Sequence, residues 1–335
     1  MNIAIIGAGN WGTALAKHLA AKADHVVLWA HEKEVAEGIN KRHRNPYFLP
    51  KFRLPEYLTA EHDLKKALHA ADVVVSVVPS QALRSVWKKA ARFLKKESLL
   101  VSCTKGIEPK SLKLMSQVLD DCLPTHPKRQ RMVLSGPSFA EEVAKGLPTS
   151  VVIAGSDDEH VQTIQNLFRT PTFLPFRSQD VIGVQVGGAI KNIIAIAAGC
   201  AAGLRLGHNT RAAIITRGVY EMIKIGMVLG AKPLTFAGLS GLGDLVLTCT
   251  GELSRNYRVG KAIGSGKRVD LVLGGHMIAE GMETSKAVAK LSRKHRLHLP
   301  ICDAVHRILH GKLHPQNAVK ELTALPLAEE MSLFQ

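Results

Sequence analysis

Met1–Gly12 reads MNIAIIGAGNWG. Ile3–Ile6 is a short, uninterrupted apolar run, the pattern of a parallel strand buried on both faces. Gly7-Ala8-Gly9-Asn10-Trp11-Gly12 follows at once, and Thr13–Ala21 continues as an alanine-rich helix. A G-x-G-x-x-G between a strand and a helix is the arrangement in which this motif carries a function. Gly7 permits the tight turn, Gly9 lets a pyrophosphate approach the backbone, and Gly12 lets the helix pack close on the strand. The helix start then offers free N–H groups and a positive dipole end to phosphates. The stretch therefore predicts dinucleotide binding, against the plainer alternative of a glycine-rich turn without a ligand.

The next segments extend the same pattern. His25–Ala30 is a second strand, and the residue at its end governs cofactor choice, because an acid there bonds the ribose 2′-hydroxyl. Here the strand runs into Trp29-Ala30-His31-Glu32, with no acid at the expected place. His31 can accommodate a 2′-phosphate, which favours NADP(H) or use of both forms; otherwise it is a solvated strand-end residue. Asn45-Pro46-Tyr47-Phe48-Leu49-Pro50 is a proline-punctuated loop ahead of a short strand near Leu58. Further strands are expected at 71–78, 99–103, 132–134, 149–154 and 173–175. Strands alternating with helices make a doubly wound α/β sheet of Rossmann type. Ligands in such sheets lie beyond the carboxyl ends of the strands, the layer that holds Ser80, Lys105 and Ser135-Gly136.

Near residue 180 the pattern changes. Val181–Gly203 and Thr210–Leu229 read as long helices, and the remainder as helices broken by glycine-rich loops. The 335 residues exceed a comfortable single core. Two domains are expected, a dinucleotide-binding domain over 1–180 and an all-α substrate domain over 181–335. The start of the chain lacks the basic flank of a signal peptide. The apolar stretch Ile193–Leu204 is too short to span a bilayer, so no integral membrane segment is expected. Five cysteines without a C-x-x-C pair fit reduced thiols in a cytoplasm rather than a disulfide framework or structural zinc. The net charge of +16 is concentrated at 41–44, 88–96, 128–131 and 293–296. Such clusters would suit a polyanion, but they are dispersed, aromatic residues make up only 5%, and no nucleic-acid module appears. The field also attracts small phosphorylated ligands, and no nucleic-acid partner is expected.

Several residues are candidates for chemistry. Lys191 interrupts Val186–Ile194, a helix otherwise apolar on nearly every side, so it either snorkels or is retained for function. In a dry cleft, desolvation would draw its pKa toward neutrality and make it a proton donor or acceptor. Lys105 follows a strand and could hold an anion or a polarised carbonyl. Ser138 opens Ser138-Phe139-Ala140-Glu141, a capping-box pattern whose plain reading is a helix N-cap. Asp244 sits on a glycine-hinged turn, either as the counter-charge of a cleft lysine or as an N-cap. Ser254-Arg255-Asn256 resembles a helix start whose guanidinium fork suits a phosphate. Neither metal-ligand spacing nor a Ser-His-Asp or Cys-His arrangement is found, and no metal is expected.

Taken jointly, GAGNWGTALA (7–16), NPYFLP (45–50), VVPSQ (77–81), CTKGIE (103–108), SGPSFAEE (135–142), GGAIKNIIAIAAG (187–199), GLRLGHN (203–209), GLGDLVLTC (241–249), SRN (254–256) and AEG (279–281) closely resemble the bacterial-type NAD(P)-dependent sn-glycerol-3-phosphate dehydrogenases. The resemblance implies reversible reduction of dihydroxyacetone phosphate to sn-glycerol 3-phosphate for phospholipid synthesis, by a cytoplasmic homodimer. It implies that Asn10, Trp11, His31, Lys105, Ala140, Arg255, Ile278 and Glu280 contact NADP(H) or NAD(H). Lys105, Gly136, Ser138, Lys191, Asp244, Ser254, Arg255 and Asn256 would hold the substrate, with Lys191 as the catalytic proton donor and acceptor. The chain departs from the family pattern at Lys51, Cys200, Ala202 and His31. Two rivals remain: a hydroxyacid or 6-phosphogluconate type dehydrogenase, which also uses a cleft lysine, and a non-catalytic dinucleotide or polyanion binder.

Overall fold

A computed structural model describes residues 1–273 and 280–326. The opening apolar run forms β1 (Asn2–Ile6), with four of its five residues buried. It lies in an eight-stranded sheet with β2 (His25–Trp29), β3 (Leu58–Glu61), β4 (Val73–Ser76), β5 (Leu99–Ser102), β6 (Arg131–Ser135), β7 (Thr149–Ala154) and β8 (Phe173–Ser178). The spatial order is β3-β2-β1-β4-β5-β6-β7-β8. β1 is flanked in register by Ile3↔Val26 and Ile3↔Val73, both parallel.

Two helical layers cover the sheet because consecutive strand residues face opposite ways. Ile3, Ile5, Val73 and Val75 pack on one side with residues of α1 (Asn10–Ala20), α2 (Lys33–Arg42), α6 (Ala140–Lys145) and α7 (Asp158–Phe168). Ala4, Ile6 and Val74 face the other side, under α3 (Leu64–Leu68), α4 (Ser80–Ala90) and α5 (Met115–Cys122). All neighbouring strands run parallel except β6 and β7. β7 follows the six-residue α6 and pairs antiparallel with β6, with Val133 opposite Ala154. The sequence pattern gave no warning of this reversal.

The chain divides into two compact units, Met1–Lys105 with Met115–Val181, and Gly106–Leu114 with Ile182–Gln335. The second is helical, and no strand follows Ser178 among the described residues. It contains α8 (Val181–Gly203), α9 (Gly207–Leu229), α10 (Asp244–Thr250), α11 (Arg255–Gly264), α12 (Val269–Leu273), α13 (Glu280–His295), α14 (Pro300–Leu309) and α15 (Pro315–Thr323). Its core gathers Ile190, Ile193 and Ile194 of α8 with Ile225 of α9, Val259 of α11, Val288 of α13 and Val305 of α14.

α8 is longer than the apolar stretch read from sequence, and it has the length and composition to cross a membrane. Its most apolar window is nevertheless 83% buried inside the protein, which accounts for the composition. Its small residues are needed for backbone contact. A Cβ on Gly199 would meet Tyr257 O at 2.1 Å, and one on Gly260 would meet Ile196 O at 2.1 Å. α8 and α11 therefore pack at glycine-to-backbone distance.

Candidate active site

The first unit places its glycine turn between β1 and α1. Gly7 has φ +118°, and a Cβ there would lie 2.8 Å from Val77 O. At Gly12 a Cβ would lie 1.8 Å from Gly7 O, so the turn and the start of α1 require both glycines. Gly9 is different: its φ is −68°, and nothing lies within 4 Å of the position its Cβ would take. The fold does not demand glycine there, whereas a pyrophosphate laid against the backbone does. Gly9 is also the N-cap of α1, and no side chain caps that helix start. The open space over Gly9 and the uncapped N–H groups fit a dinucleotide pyrophosphate.

Asn45 locks this turn. It is 1% exposed; its Nδ2 donates to Ala8 O (2.8 Å) and Thr13 Oγ1 (2.9 Å), while its Oδ1 accepts from Tyr47 N and Phe48 N. The Thr13 hydroxyl in turn donates to Ala8 O. Asn-Pro at 45–46 signals such a side-chain turn, although nothing in the sequence says which carbonyl it grips. Of the other residues expected at the cofactor, Asn10 is exposed and Trp11 half-buried at the start of α1. The Trp11 indole reaches the Cys103 thiol, which burial pushes up to about 12 and so keeps inert. His31 is exposed just beyond β2, and Ala140 is the first residue of α6.

Beyond β5 and β6, Lys105 Nζ lies 3.5 Å from Gly136 O. Gly136 has φ +135°, and a Cβ there would meet Val151 Cα at 2.9 Å. Ser138 differs from expectation. α6 starts at Ala140 with Phe139 as an uncapped N-cap, and the Ser138 hydroxyl folds back to donate to Gly136 O at 3.1 Å. The capping-box spacing is present, but the helix begins too late for Ser138 to serve it. Lys105, Gly136 and Ser138 instead converge on one carbonyl.

The second unit holds the buried ionic centre. Lys191 is 8% exposed, and its Nζ donates to Asp244 Oδ1 at 2.6 Å and to Thr248 Oγ1 at 2.8 Å. Asp244 is 1% exposed and is the first helical residue of α10, whose N-cap is Gly243, so the counter-charge reading holds and the N-cap reading fails. An ammonium is tolerable at this depth because the carboxylate compensates its charge. Sequence reading missed Thr248, whose hydroxyl also donates to Asp244 O at 2.6 Å. Its position four residues after Asp244 on α10 is the one available signal, since such pairs share a helix face. Burial pushes the neighbouring Cys249 thiol up to about 12, partly opposed by Lys191, so it is not a nucleophile.

Ser254 caps α11 by accepting from Tyr257 N at 3.2 Å. Asn256 is not turned outward as a phosphate anchor would be. It is buried, its Nδ2 donates to Asn192 Oδ1 (3.0 Å) and its Oδ1 accepts from Gly281 N (3.1 Å), tying α8, α11 and α13 together. Arg255, first on α11, is the exposed member of the trio. Glu280 opens α13; Ile278 lies outside the described residues. Among the described residues no cluster of His, Cys, Asp or Glu could hold a metal ion.

The family models that match the chain are the two halves of one family. The model described as NAD-dependent glycerol-3-phosphate dehydrogenase N-terminus matches residues 2–161, and its C-terminus counterpart matches 180–320. The glycerol-3-phosphate dehydrogenase (NAD(P)+) of Nitratidesulfovibrio vulgaris is 46% identical over 98% of this chain and 100% of its own. The solved glycerol-3-phosphate dehydrogenase of Coxiella burnetii superposes with TM-score 0.92 at 40% identity, covering 97% of this chain and 99% of that one. The Plasmodium falciparum glycerol-3-phosphate dehydrogenase structure, at 26% identity, covers 98% of this chain and 97% of its own with TM-score 0.86. The chain belongs to the NAD-dependent glycerol-3-phosphate dehydrogenase family.

Proposed function

We propose that Lys191, held by Asp244 and Thr248, is the proton donor and acceptor of the family's reaction in this chain, the reversible reduction of dihydroxyacetone phosphate to sn-glycerol 3-phosphate. A bound reduced nicotinamide supplies hydride to the ketone carbon. Negative charge then develops on the ketone oxygen. The Lys191 ammonium stabilises that oxygen and passes a proton from Nζ to it; the reverse reaction takes the proton back. The Asp244 carboxylate and Thr248 hydroxyl aim Nζ and compensate its charge through both steps. Arg255 is the fork that fits the substrate phosphate, and fixing the phosphate orients the carbonyl. Ser254 and Asn256 set the start of α11 that carries it. Lys105, Gly136 and Ser138 form the first unit's share of the substrate contacts. Gly7, Gly9, Asn10, Trp11, Gly12, His31, Ala140 and Glu280 are assigned to the dinucleotide.

Residues 1–180, apart from Gly106–Leu114, which belong to the second unit, then serve as the cofactor domain and 181–335 as the substrate domain. The enzyme is proposed to work in the cytoplasm as a homodimer and to feed glycerophospholipid synthesis. The observation that carries the reading is the lysine at 8% exposure in a largely apolar helix, ion-paired with Asp244 and bonded to Thr248. The test follows the loss of absorbance at 340 nm with dihydroxyacetone phosphate, using NADPH and then NADH. Wild type should turn over. Lys191→Ala should lose about 10²- to 10⁴-fold in kcat, the range for removing a general acid, while NADPH fluorescence still reports binding. Full activity in the variant would remove Lys191 from the mechanism, and inactivity of folded wild type would return the hydroxyacid reading.

A further inference from the structure

The layer of α3, α4 and α5 brings together bases that the sequence scatters. α3 packs against α4 and the single turn Ala91–Phe93, and α4 packs against α5. The inward residues are apolar: Ala67 and Leu68 of α3, and Leu83, Trp87 and Ala90 of α4. The outward residues are basic. Lys65 and Lys66 are exposed on α3, and Lys88, Lys89, Arg92, Lys95 and Lys96 are exposed along α4 and its extension. On α4 and the turn after it, Ser85, Lys88 and Arg92 follow at helical spacing, a stripe opposite Leu83, Trp87 and Ala90.

These charges are left uncompensated. Within 64–69 and 88–97 the one acid is Glu97. The acids of the surrounding elements are engaged elsewhere. Asp63 caps α3 through Lys65 N, and Asp72 accepts from Asn2 N. On α5, Asp120 pairs with Arg131 at 2.6 Å and Lys128 at 3.1 Å, and Asp121 pairs with Arg84 at 3.0 Å. Among the described residues none of the six lysines, nor Arg92, has an ion-pair partner. The helix dipole accounts for a basic residue or two in each last turn. It does not account for Arg92, Lys95 and Lys96, which lie past the end of α4.

We propose that this face of the first unit docks on an anionic lipid surface. A group of about four to eight lysines and arginines on one helical face suits a layer of anionic headgroups. Six of the seven bases are lysines, compact point charges that match diffuse surface charge, whereas nucleic-acid sites favour arginine forks and exposed rings. Neither run presents an exposed tryptophan, tyrosine or phenylalanine: Trp87 is fully buried, and Phe93 is half-buried with Arg92 over its ring. Helices that link parallel strands run back against them, so the bases collect at the amino edge of the sheet, where Leu68 leads toward β4 and Lys96 toward β5. The glycine turn, Lys105 and Gly136 lie at the carboxyl edge, so docking leaves them uncovered.

The test is co-sedimentation of the full chain with vesicles of phosphatidylglycerol and phosphatidylcholine, against phosphatidylcholine alone, at about 0.05 M and 0.5 M salt. Wild type should bind the anionic vesicles at low salt, release at high salt, and ignore the neutral ones. Lys88→Gln, Lys89→Gln, Lys95→Gln and Lys96→Gln together should lower the partition coefficient at least about tenfold, since each such base contributes up to about fivefold. Arg293→Gln, Lys294→Gln, Arg296→Gln and Lys312→Gln remove the same charge from exposed positions of the helical unit and should leave binding within about twofold. Urea midpoints near wild type show that both sets are folded. Equal losses in the two sets would reduce the effect to net charge and overturn the proposal, as would wild type that ignores anionic vesicles at low salt. Tighter binding to duplex DNA than to vesicles would assign the face to nucleic acid instead. If the first set does not fold, lysine acetylation of wild type gives the same answer. Vesicles should shield Lys88, Lys89, Lys95 and Lys96 and leave Lys294 open, and uniform labelling would overturn the docking face.

Discussion

The Thr248 hydroxyl donates to Asp244 O and accepts from Lys191 Nζ, so one oxygen registers α10 against α8 at the ionic centre. Replacing it with valine keeps the shape and removes both bonds. Thr248→Val should lower kcat about tenfold or more and change KM for dihydroxyacetone phosphate by less than about threefold, because Lys191 loses its aim rather than its charge. A KM effect with unchanged kcat would show that Thr248 serves ground-state binding instead. Asn45 acts on the other unit in a similar way. Asn45→Ala leaves Tyr47 N and Phe48 N without their acceptor and frees the glycine turn. We expect a loss of about 1–3 kcal/mol in urea unfolding, the cost of orphaned buried polar groups, together with weaker NADPH binding. Retained cofactor affinity despite the stability loss would limit Asn45 to a folding role.

At the scale of the element, the glycine turn divides into positions that folding needs and one that the ligand needs. Gly7→Ala forces a side chain into a φ of +118° and against Val77 O, so the variant should unfold at lower urea or fail to accumulate. Gly9→Ala meets open space, and its unfolding midpoint should stay close to wild type while NADPH affinity drops at least tenfold. Equal cofactor affinity in wild type and folded Gly9→Ala would place the pyrophosphate elsewhere. This division explains what could be read from sequence. β1, the turn and α1 were legible because strand, glycine spacing and helix are local patterns. Lys191 was legible because one charge in an apolar helix breaks a periodic rule. The direction of β7 was not, since it is set by pairing with β6 and leaves no mark in a local pattern. Ser138 misled because a capping box is a spacing, whereas a cap exists only where the backbone turns helical. Thr248 and Asn45 were hidden because their partners lie in other elements that only packing brings near.

At the scale of the whole molecule, acid stability follows from where the histidines lie. His18, His126, His306 and His310 are all held below the ordinary imidazole value of 6.5, with burial the leading cause in each. The His306 and His310 rings lie 4.5 Å apart and tilted, so charging one opposes charging the other. With folded values depressed, the unfolded chain takes up more protons below about pH 6.5, and the stability present above that pH is lost as pH falls through the folded values. Glu221 has the opposite sign. Burial raises its carboxyl above the ordinary 4.5, partly opposed by the N–H groups of Ile301 and Cys302 that it accepts at the start of α14. Its contribution is present below pH 4.5 and is lost as pH rises through its folded value, so it opposes four histidines across part of the same window. The histidines should prevail, and the urea midpoint should fall steadily from about pH 7 to pH 5. The net charge of +16 grows over the same interval and adds self-repulsion, but that part is screened by salt, whereas proton uptake by unfolding histidines is not. Measured at low and at high salt, the two midpoint curves should therefore separate at acid pH yet both decline. A flat curve at high salt would mean that these imidazoles carry no linkage and that the acid sensitivity belongs to surface charge alone.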